Sequence, residues 1–270
     1  MPIVSIKELL DAGIHFGHKS AKWNPKMAPY IYAKRNKMHI LDVRATVKGI
    51  IQAYRFIEQA VASGETVLFV GTKKQSKITI EREALRCGMH FIVERWLGGT
   101  FTNLHTIRSR IDRLIELEEL EASGDINNFS KKMISTYRRE RMKIFRNLNG
   151  VRNMEKLPGL IVVVDPSFEH IAVAEARKCG IPVVALIDTD SDPDKVDIVI
   201  PGNDDAMNSI DIVIQKLADA VILGKDKRGN EQAMKKEGKT DIAPAPKATP
   251  EETKPTEEKP EENKETVKSE

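Results

Sequence analysis

Short continuous apolar runs alternate with amphipathic stretches along most of the chain. Five such runs lie at residues 66–70, 90–93, 160–164, 183–187 and 197–200. Runs of this length predict strands that are covered on both faces, as in a parallel sheet. Residues 42–62 carry apolar side chains at helical spacing instead. We therefore predict an α/β fold, a parallel sheet with helices on both faces.

The middle of the chain shows a different pattern. Two stretches, Leu104 to Leu120 and Ile134 to Leu148, each carry one apolar stripe among charged residues, and Gly124-Asp125 separates them. Two helices with one narrow stripe each pair as an antiparallel coiled coil. We predict that residues 104–150 form a coiled-coil hairpin, inserted into a discontinuous body of residues 1–103 and 151–225.

The stretch from Arg95 to Asn103 joins the predicted body to the predicted hairpin. Gly98 and Gly99 permit backbone angles that other residues avoid, and they let another backbone come close. Trp96 and Phe101 add large apolar area on either side of that bend. We interpret this stretch as a socket for the hairpin. An ordinary strand-to-helix loop with an apolar plug is the alternative.

The last part of the chain, residues 226–270, has no aromatic residue and holds five of the thirteen prolines. It has too little apolar surface to order itself, so we predict a disordered tail. Cys87 and Cys179 lie far apart and imply no disulfide framework. No apolar run has the length of a membrane span, and the N-terminus has no signal-peptide run. We expect a soluble cytoplasmic protein with no membrane partner.

Charge is strongly partitioned along the chain. Residues 1–55 carry ten Lys/Arg and three Asp/Glu, a net charge of +7. Residues 154–225 carry six Lys/Arg and thirteen Asp/Glu, a net charge of −7. Such a partition is typical of a protein that turns one side toward a polyanion and the other toward solvent or a protein partner.

The basic half contains a stretch without any acidic residue, between Asp11 and Asp42. Phe16, Trp23, Tyr30 and Tyr32 are interleaved there with lysines, and strands at 30–33 and 38–41 are expected to pair through a turn at Arg35-Asn36. Rings that stack on bases, beside cations that meet phosphates, favour nucleic-acid binding. A solvated loop and hairpin, with Trp23 as a core plug, is the alternative. The candidate RNA-binding residues in this stretch are Lys19, Lys22, Trp23, Lys26, Lys34, Arg35 and Lys37.

A second basic element follows the strand at 66–70. Gly71 begins a turn into a helix, where Lys73 and Lys74 can contact a nucleic-acid backbone; a simple tight turn is the alternative. Arg95 completes the candidate set. The turn is neither a P-loop nor a dinucleotide fingerprint, and no nucleophile–base set is present. We therefore predict no enzymatic activity, although an α/β fold alone does not decide this.

A metal site is a further candidate. His15 and His18 lie three residues apart after a glycine, and the fold can bring the acidic loop at Asp188 and the helix start at Asp204 and Asp205 beside them. Histidine and carboxylate ligands suit zinc, and carboxylates alone suit magnesium. The candidate ligands are His18, Asp188 and Asp205. A histidine bonded to backbone or phosphate is the alternative.

Five blocks of sequence resemble the family of bacterial small-subunit ribosomal protein two. In family order they are Ala12–His18, Trp23–Met27, Arg95–Asn103, Pro158–Pro182 and Asp188–Pro193 with Ile200–Ala206. Asp190 stands where an asparagine is expected, which affects only the detail of that loop. The resemblance implies a Rossmann-like sheet with an inserted coiled-coil hairpin.

The resemblance also implies a function. Members of that family are non-catalytic constituents of the small ribosomal subunit that take part in translation in the cytoplasm. They bind ribosomal RNA near the cleft between the head and the body of the subunit. They also help to hold neighbouring ribosomal proteins, including the largest small-subunit protein, which guides messenger RNA. An interaction scaffold without RNA is the remaining alternative, and the acid-free stretch argues against it.

Overall fold

The structure is a computed structural model that describes residues 4–237, with side chains through residue 229. The helices are α1 (Ile6–Asp11), α2 (Val43–Ala62), α3 (Lys77–Cys87), α4 (Leu104–Ala122), α5 (Lys131–Leu148), α6 (His170–Lys178) and α7 (Met207–Glu237). The strands are β1 (Phe16–Lys19), β2 (Ile31–Arg35), β3 (Met38–Leu41), β4 (Val67–Val70), β5 (His90–Ile92), β6 (Leu160–Val164), β7 (Val183–Ile187) and β8 (Ile198–Pro201). Short 3-10 helices lie at Pro25–Tyr30, Asp125–Asn128, Asn149–Val151 and Pro193–Lys195.

A five-stranded parallel sheet in the order β5-β4-β6-β7-β8 forms the centre of the molecule. Every residue of β4, β6 and β7 is buried, as their continuous apolar sequences predict. The observed ends of the five strands lie within one residue of the predicted ones. The predicted α/β fold with a parallel sheet is confirmed.

Helices cover both faces of this sheet. Side chains alternate along each strand, so Val67 and Phe69 point into one core with α2, α3 and α7. Leu68 and Val70 point into the other core, with α6 and the base of α4. Helix α2 approaches β8 closely at Gly49, where an added Cβ would lie 2.4 Å from the carbonyl oxygen of Val199. Only glycine fits there without a shift of the helix.

A second, three-stranded antiparallel sheet precedes the parallel one, in the order β1-β3-β2. Strands β2 and β3 form the predicted hairpin, but the turn lies at Asn36-Lys37, one residue later than predicted. Both turn residues have positive φ, +50° and +63°, as in tight hairpin turns that follow the strand twist. Strand β1 was not predicted, because its four residues are too short and too polar to show an alternation. It pairs with β3 and brings residues 16–19 beside the hairpin.

Helices α4 and α5 follow each other around the turn at 125–128. Ion pairs join them, from Glu121 to Arg138 and Arg141 and from Arg113 to Glu140. At their base, Ile107 and Leu148 enter the core beneath the sheet. The coiled-coil packing of the pair stays a prediction, as does the division of the chain into body, hairpin and tail.

The predicted socket between body and hairpin is organised by Glu175, a half-buried residue of α6. Its carboxylate accepts hydrogen bonds from the backbone N–H groups of Gly99, Phe101 and Thr102, at 2.7, 3.0 and 3.4 Å. The Trp96 indole N–H donates to the same carboxylate at 3.3 Å. Burial opposes the charge of Glu175, but these hydrogen bonds outweigh it and lower its pKa. One carboxylate therefore ties the stretch before α4 to α6.

Helix α7 continues past residue 226, where the sequence predicted the start of the tail. Residues 226–237 are rich in Lys, Glu, Gln, Ala and Met, all good helix formers, and the first proline comes only at Pro244. A helix whose first turns are buried can therefore continue through them. The rest of the predicted tail, residues 238–270, lies outside the described residues.

Candidate nucleic-acid interface and aspartate cluster

The cations predicted to bind RNA between residues 19 and 37 are all exposed. Strand β1 ends at Lys19, Lys22 lies in the following loop, and Lys34 and Arg35 end strand β2. Lys37 lies in the hairpin turn. We call this group, together with the exposed aromatic residues interleaved with it, the basic surface. It consists of Phe16, Lys19, Lys22, Trp23, Lys26, Tyr32, Lys34, Arg35 and Lys37.

The rings of the basic surface differ in exposure. Tyr32 is 78% exposed and Phe16 is 46% exposed, so both offer an open face to a base. Trp23 is 37% exposed and packs against His39, with ring centroids 5.2 Å apart. Trp23 therefore packs partly against the β2–β3 hairpin, and its stacking on a base stays a prediction.

Lys26 is held by the acidic loop at 188–194. Its ammonium nitrogen lies 2.6 Å from Asp194 Oδ2 and 3.1 Å from Asp192 Oδ1. The hydrogen bond to Asp194, followed in size by the one to Asp192, raises the pKa of Lys26. The backbone N–H of Asn24 also donates to the carbonyl oxygen of Thr189 at 2.7 Å. These contacts fix the loop of the basic surface, and they leave Lys26 less free than Lys22 for a phosphate.

The remaining predicted cations lie at the carboxyl ends of β4 and β5. Lys74 is exposed, as predicted for a phosphate contact. Arg95 is also exposed and lines a groove of about 620 Å³ with Met142, Lys143 and Phe145 of α5. The structure thus gives Arg95 neighbours that differ from those of residues 19–37.

Lys73 does not have the position that the sequence predicted. Its side chain is only 15% exposed, and its ammonium nitrogen lies 2.6 Å from Asp165, 3.0 Å from Asp204 and 3.3 Å from Asp205. Burial disfavours its charge, but Asp204 and Asp165 together hold the pKa of Lys73 above its ordinary value. The phosphate contact of Lys73 stays a prediction, and it would require the ammonium group to leave three carboxylate partners.

His18 contacts two of the predicted metal ligands. Its Nδ1 lies 2.6 Å from Asp188 Oδ2, and its Nε2 lies 3.3 Å from Asp205 Oδ2. The hydrogen bond to Asp188 raises the pKa of His18 to about 9, against the opposing effect of burial. The predicted set His18, Asp188 and Asp205 is therefore brought together. His15 instead packs on Phe16, with ring centroids 4.0 Å apart, and is not part of this group.

Asp204 is the most deeply buried of these carboxylates, with no exposed surface. Lys73 donates to its Oδ1, whereas its Oδ2 has no hydrogen-bond partner among the described residues. Burial, reinforced by Asp165, raises the pKa of Asp204 to about 8, although Lys73 acts in the opposite direction. We call Asp165, Asp188, Asp190, Asp204 and Asp205, with His18 and Lys73, the aspartate cluster.

The aspartate cluster has two sets of side chains with the spacing of metal ligands. Ligand atoms of His18, Asp188 and Asp204 lie within 4.8 Å of one another, as do those of Asp165, Asp190 and Asp204. Asp204 replaces the predicted Asp205 in the set that contains the histidine. The unpartnered buried oxygen of Asp204 and the mixed nitrogen and oxygen donors fit a zinc ion, whereas the second set is all oxygen.

Comparison with known proteins decides the family. The family profile described as ribosomal protein S2 matches residues 9–224. The chain belongs to the ribosomal protein S2 family. The small ribosomal subunit protein uS2 of Rhodopirellula baltica is 54% identical over 228 residues, which are 84% of this chain and 88% of that protein.

Membership of the S2 family confirms the resemblance carried by the five sequence blocks. The chain is a small-subunit ribosomal protein with a structural role in translation, and not an enzyme. Binding to ribosomal RNA is typical of the family. None of the helices that the structure describes combines the length and the hydrophobicity of a membrane span.

Sequence reasoning placed Asp204 beside the acidic loop but missed Asp165 as a member of the cluster in this S2-family chain. A signal was available: Asp165 follows β6, Asp190 follows β7 and Asp204 follows β8, and the carboxyl ends of parallel strands meet at one edge of a sheet. Asp165 also has a φ of +61°, a costly angle for a residue other than glycine, which is often found at functional sites.

Proposed function

We propose that this chain binds small-subunit ribosomal RNA through the basic surface, with Lys74 and Arg95 as additional contacts. The observation that supports the proposal most strongly is the exposure of six cations and of the rings of Phe16 and Tyr32 in a stretch without an acidic residue between Asp11 and Asp42. Cations of this kind neutralise phosphates and release bound counterions, which contributes most of a protein's affinity for a nucleic-acid backbone. Unpaired bases stack on rings of this kind.

Lys22 and Arg35 give the sharpest test. Neither has an ion-pair partner among the described residues, so replacing both with alanine should leave the melting temperature unchanged. Each lost phosphate contact lowers the salt slope of binding by about 0.9, a value measured for duplex DNA. We expect Lys22→Ala with Arg35→Ala to weaken binding to subunits depleted of this protein, and to reduce the slope by somewhat under two units.

A matched variant removes the same charge from the acidic half. Arg177→Ala with Lys178→Ala, both exposed at the end of α6, should leave the affinity and the salt slope close to those of the wild type. If both double variants behave alike, the loss reflects net charge only. If the Lys22/Arg35 variant binds with unchanged affinity and slope, the RNA surface lies elsewhere on the chain.

The acidic half, residues 154–225, is proposed to face solvent or a protein partner, since its net charge of −7 repels phosphates. The family resemblance suggests the largest small-subunit protein, which guides messenger RNA, as that partner near the head–body cleft. Exposed Phe168 and Ile171, which are 56% and 46% exposed, give this half an apolar pair for such a contact. The variant with Phe168→Ser and Ile171→Ser should bind ribosomal RNA normally. Mass spectrometry of subunits that contain this variant should show that the largest small-subunit protein is missing. Full retention of it would contradict the proposal.

We propose, as a second function, that the chain binds a zinc ion through His18, Asp188 and Asp204. The supporting observation is the buried Asp204 Oδ2, which has no partner among the described residues. A bound ion would satisfy it and would tie β1 to the ends of β7 and β8. Metal analysis of the dialysed chain should find about one zinc per molecule, and far less in Asp204→Asn. Asp211→Asn, which alters a partly exposed carboxylate outside the cluster that pairs with Arg82, is the control. Much less than one zinc in the wild type would contradict this proposal.

A further inference from the structure

Lys73 occupies the place that a cation would take in the second ligand set of the aspartate cluster. Its ammonium nitrogen lies 2.6 Å from Asp165 Oδ2 and 3.0 Å from Asp204 Oδ1, and these two residues belong to the set Asp165, Asp190 and Asp204. The side chains of Asp165 and Asp204 are 5% and 0% exposed. The ammonium group therefore serves as their counter-ion in a place from which water is largely excluded.

The two ligand sets adjoin because they share Asp204. Its Oδ1 receives the Lys73 ammonium group, while its Oδ2 is buried and lacks a partner among the described residues. The unpartnered oxygen is the independent sign that the cluster is built to hold a cation beyond Lys73. The shared carboxylate would then bridge the Lys73 ammonium on one side and an ion on the other.

We propose that Lys73 is a built-in cation that fills the second of two adjoining cation positions, so that the cluster takes one divalent ion and not two. The inference rests on the proposed zinc site for the identity of that one ion. Its own content is the effect of Lys73 on the number of ions. Without Lys73, the position between Asp165, Asp190 and Asp204 becomes available to a divalent ion that prefers oxygen ligands.

The physical reason is the cost of unpaired buried charge. Removing one partner of a buried ion pair leaves the other charge uncompensated, so the carboxylates of Asp165 and Asp204 would need either protons or a new cation. An ion with three carboxylate ligands supplies two positive charges where Lys73 supplied one. A chain with a neutral residue at 73 should therefore recruit a divalent ion that the wild type excludes.

The test uses Mn²⁺ as the probe, because it prefers oxygen ligands and its bound form is counted by electron paramagnetic resonance. The full-length chain is loaded with zinc, dialysed and titrated with Mn²⁺, as wild type and as Lys73→Met, which keeps the length of the side chain without its charge. We expect about one tightly bound Mn²⁺ per chain in Lys73→Met and none in the wild type.

Two controls define the position of the ion. Lys73→Arg keeps the positive charge and should exclude Mn²⁺ as the wild type does. Lys73→Met with Asp165→Asn removes one ligand together with the lysine, and should not take up Mn²⁺. If Lys73→Met binds no more Mn²⁺ than the wild type, or if the double variant binds as much as Lys73→Met, the inference is wrong.

Folding of the variant does not leave the question open. If zinc-loaded Lys73→Met is destabilised, then Mn²⁺ should raise its melting temperature by several degrees through binding to the folded state. The double variant should show no such rise, and absence of the rise in Lys73→Met would overturn the inference. The zinc content of the wild type reports separately on the proposed zinc site, because a wild type without zinc can still differ from Lys73→Met in Mn²⁺ uptake.

Discussion

The Glu175 carboxylate offers a strong test of how the helical pair α4–α5 is joined to the sheet. Glu175→Ala removes the acceptor for the N–H groups of Gly99, Phe101 and Thr102 and for the Trp96 indole. A hydrogen bond to a charged group contributes about 1.5–3 kcal/mol. Because Glu175 is half-buried, water replaces part of this loss, and we expect a cost of about 2–4 kcal/mol, well below the sum.

That cost should be visible as a shift in the melting temperature. In a chain of this size, 1 kcal/mol corresponds to about 2–4 °C, so Glu175→Ala should lower the melting temperature by roughly 5–15 °C. Circular dichroism at pH 7 provides the measurement. Glu116→Ala is the control, because Glu116 is a 60% exposed carboxylate of α4 whose pair with Arg113 should contribute under about 1 kcal/mol.

The effect of Glu175 should also depend on pH in a defined direction. Because its pKa is lowered in the folded chain, its charge stabilises the fold above its ordinary pKa, and the benefit is lost as the pH falls through the folded pKa. The gap between wild type and Glu175→Ala should therefore shrink below about pH 4. A shift at pH 7 no larger than that of Glu116→Ala would refute the role given to Glu175.

Three further predictions concern other contacts. Gly49→Ala should cost about 1–3 kcal/mol by overpacking against Val199, whereas Gly229→Ala, with open space around it in α7, should stabilise slightly, as denaturant titration would show. In chelator, the stabilisation from protonated Asp204 should be lost from about pH 4 to 8 and that from protonated His18 from about pH 6.5 to 9, because folding raises both pKa values. The melting temperature should therefore fall over this range, and His18→Gln should flatten the fall above about pH 6.5. Lys26→Ala should reduce the salt slope of subunit binding less than Lys22→Ala does, since Asp192 and Asp194 already hold Lys26; an equal reduction would show that those pairs open on binding.

The parallel sheet could be predicted because its strands are buried on both faces and therefore read as uninterrupted apolar runs. Strand β1 could not be predicted, because its short sequence includes the polar residues His18 and Lys19. Its position depends on pairing with β3 and not on the local sequence. The predicted hairpin turn lies one residue too early. The two residues with positive φ in this turn are Asn36 and Lys37, so no glycine marks its position in the sequence.

Only part of the candidate site could be predicted from the sequence. Cations such as Lys22 and Arg35 can be recognised from composition, because the stretch around them contains no acidic residue that could form an ion pair with them. Lys73 was assigned to phosphate because its charge partners, Asp165 and Asp204, lie far away in sequence and meet it only at the carboxyl edge of the sheet. Long-range pairing of this kind depends on the strand order, which the sequence pattern does not specify.

The central claim is that the basic surface meets ribosomal RNA, and crosslinking tests it most directly. Small subunits that contain this chain are irradiated with ultraviolet light and digested with protease and nuclease, and the peptides that carry a nucleotide are identified by mass spectrometry. We expect crosslinks at rings of the basic surface, above all at Tyr32, which is 78% exposed, with Phe16 and Trp23. Crosslinked peptides confined to residues 154–225, with none from residues 16–37, would contradict the account.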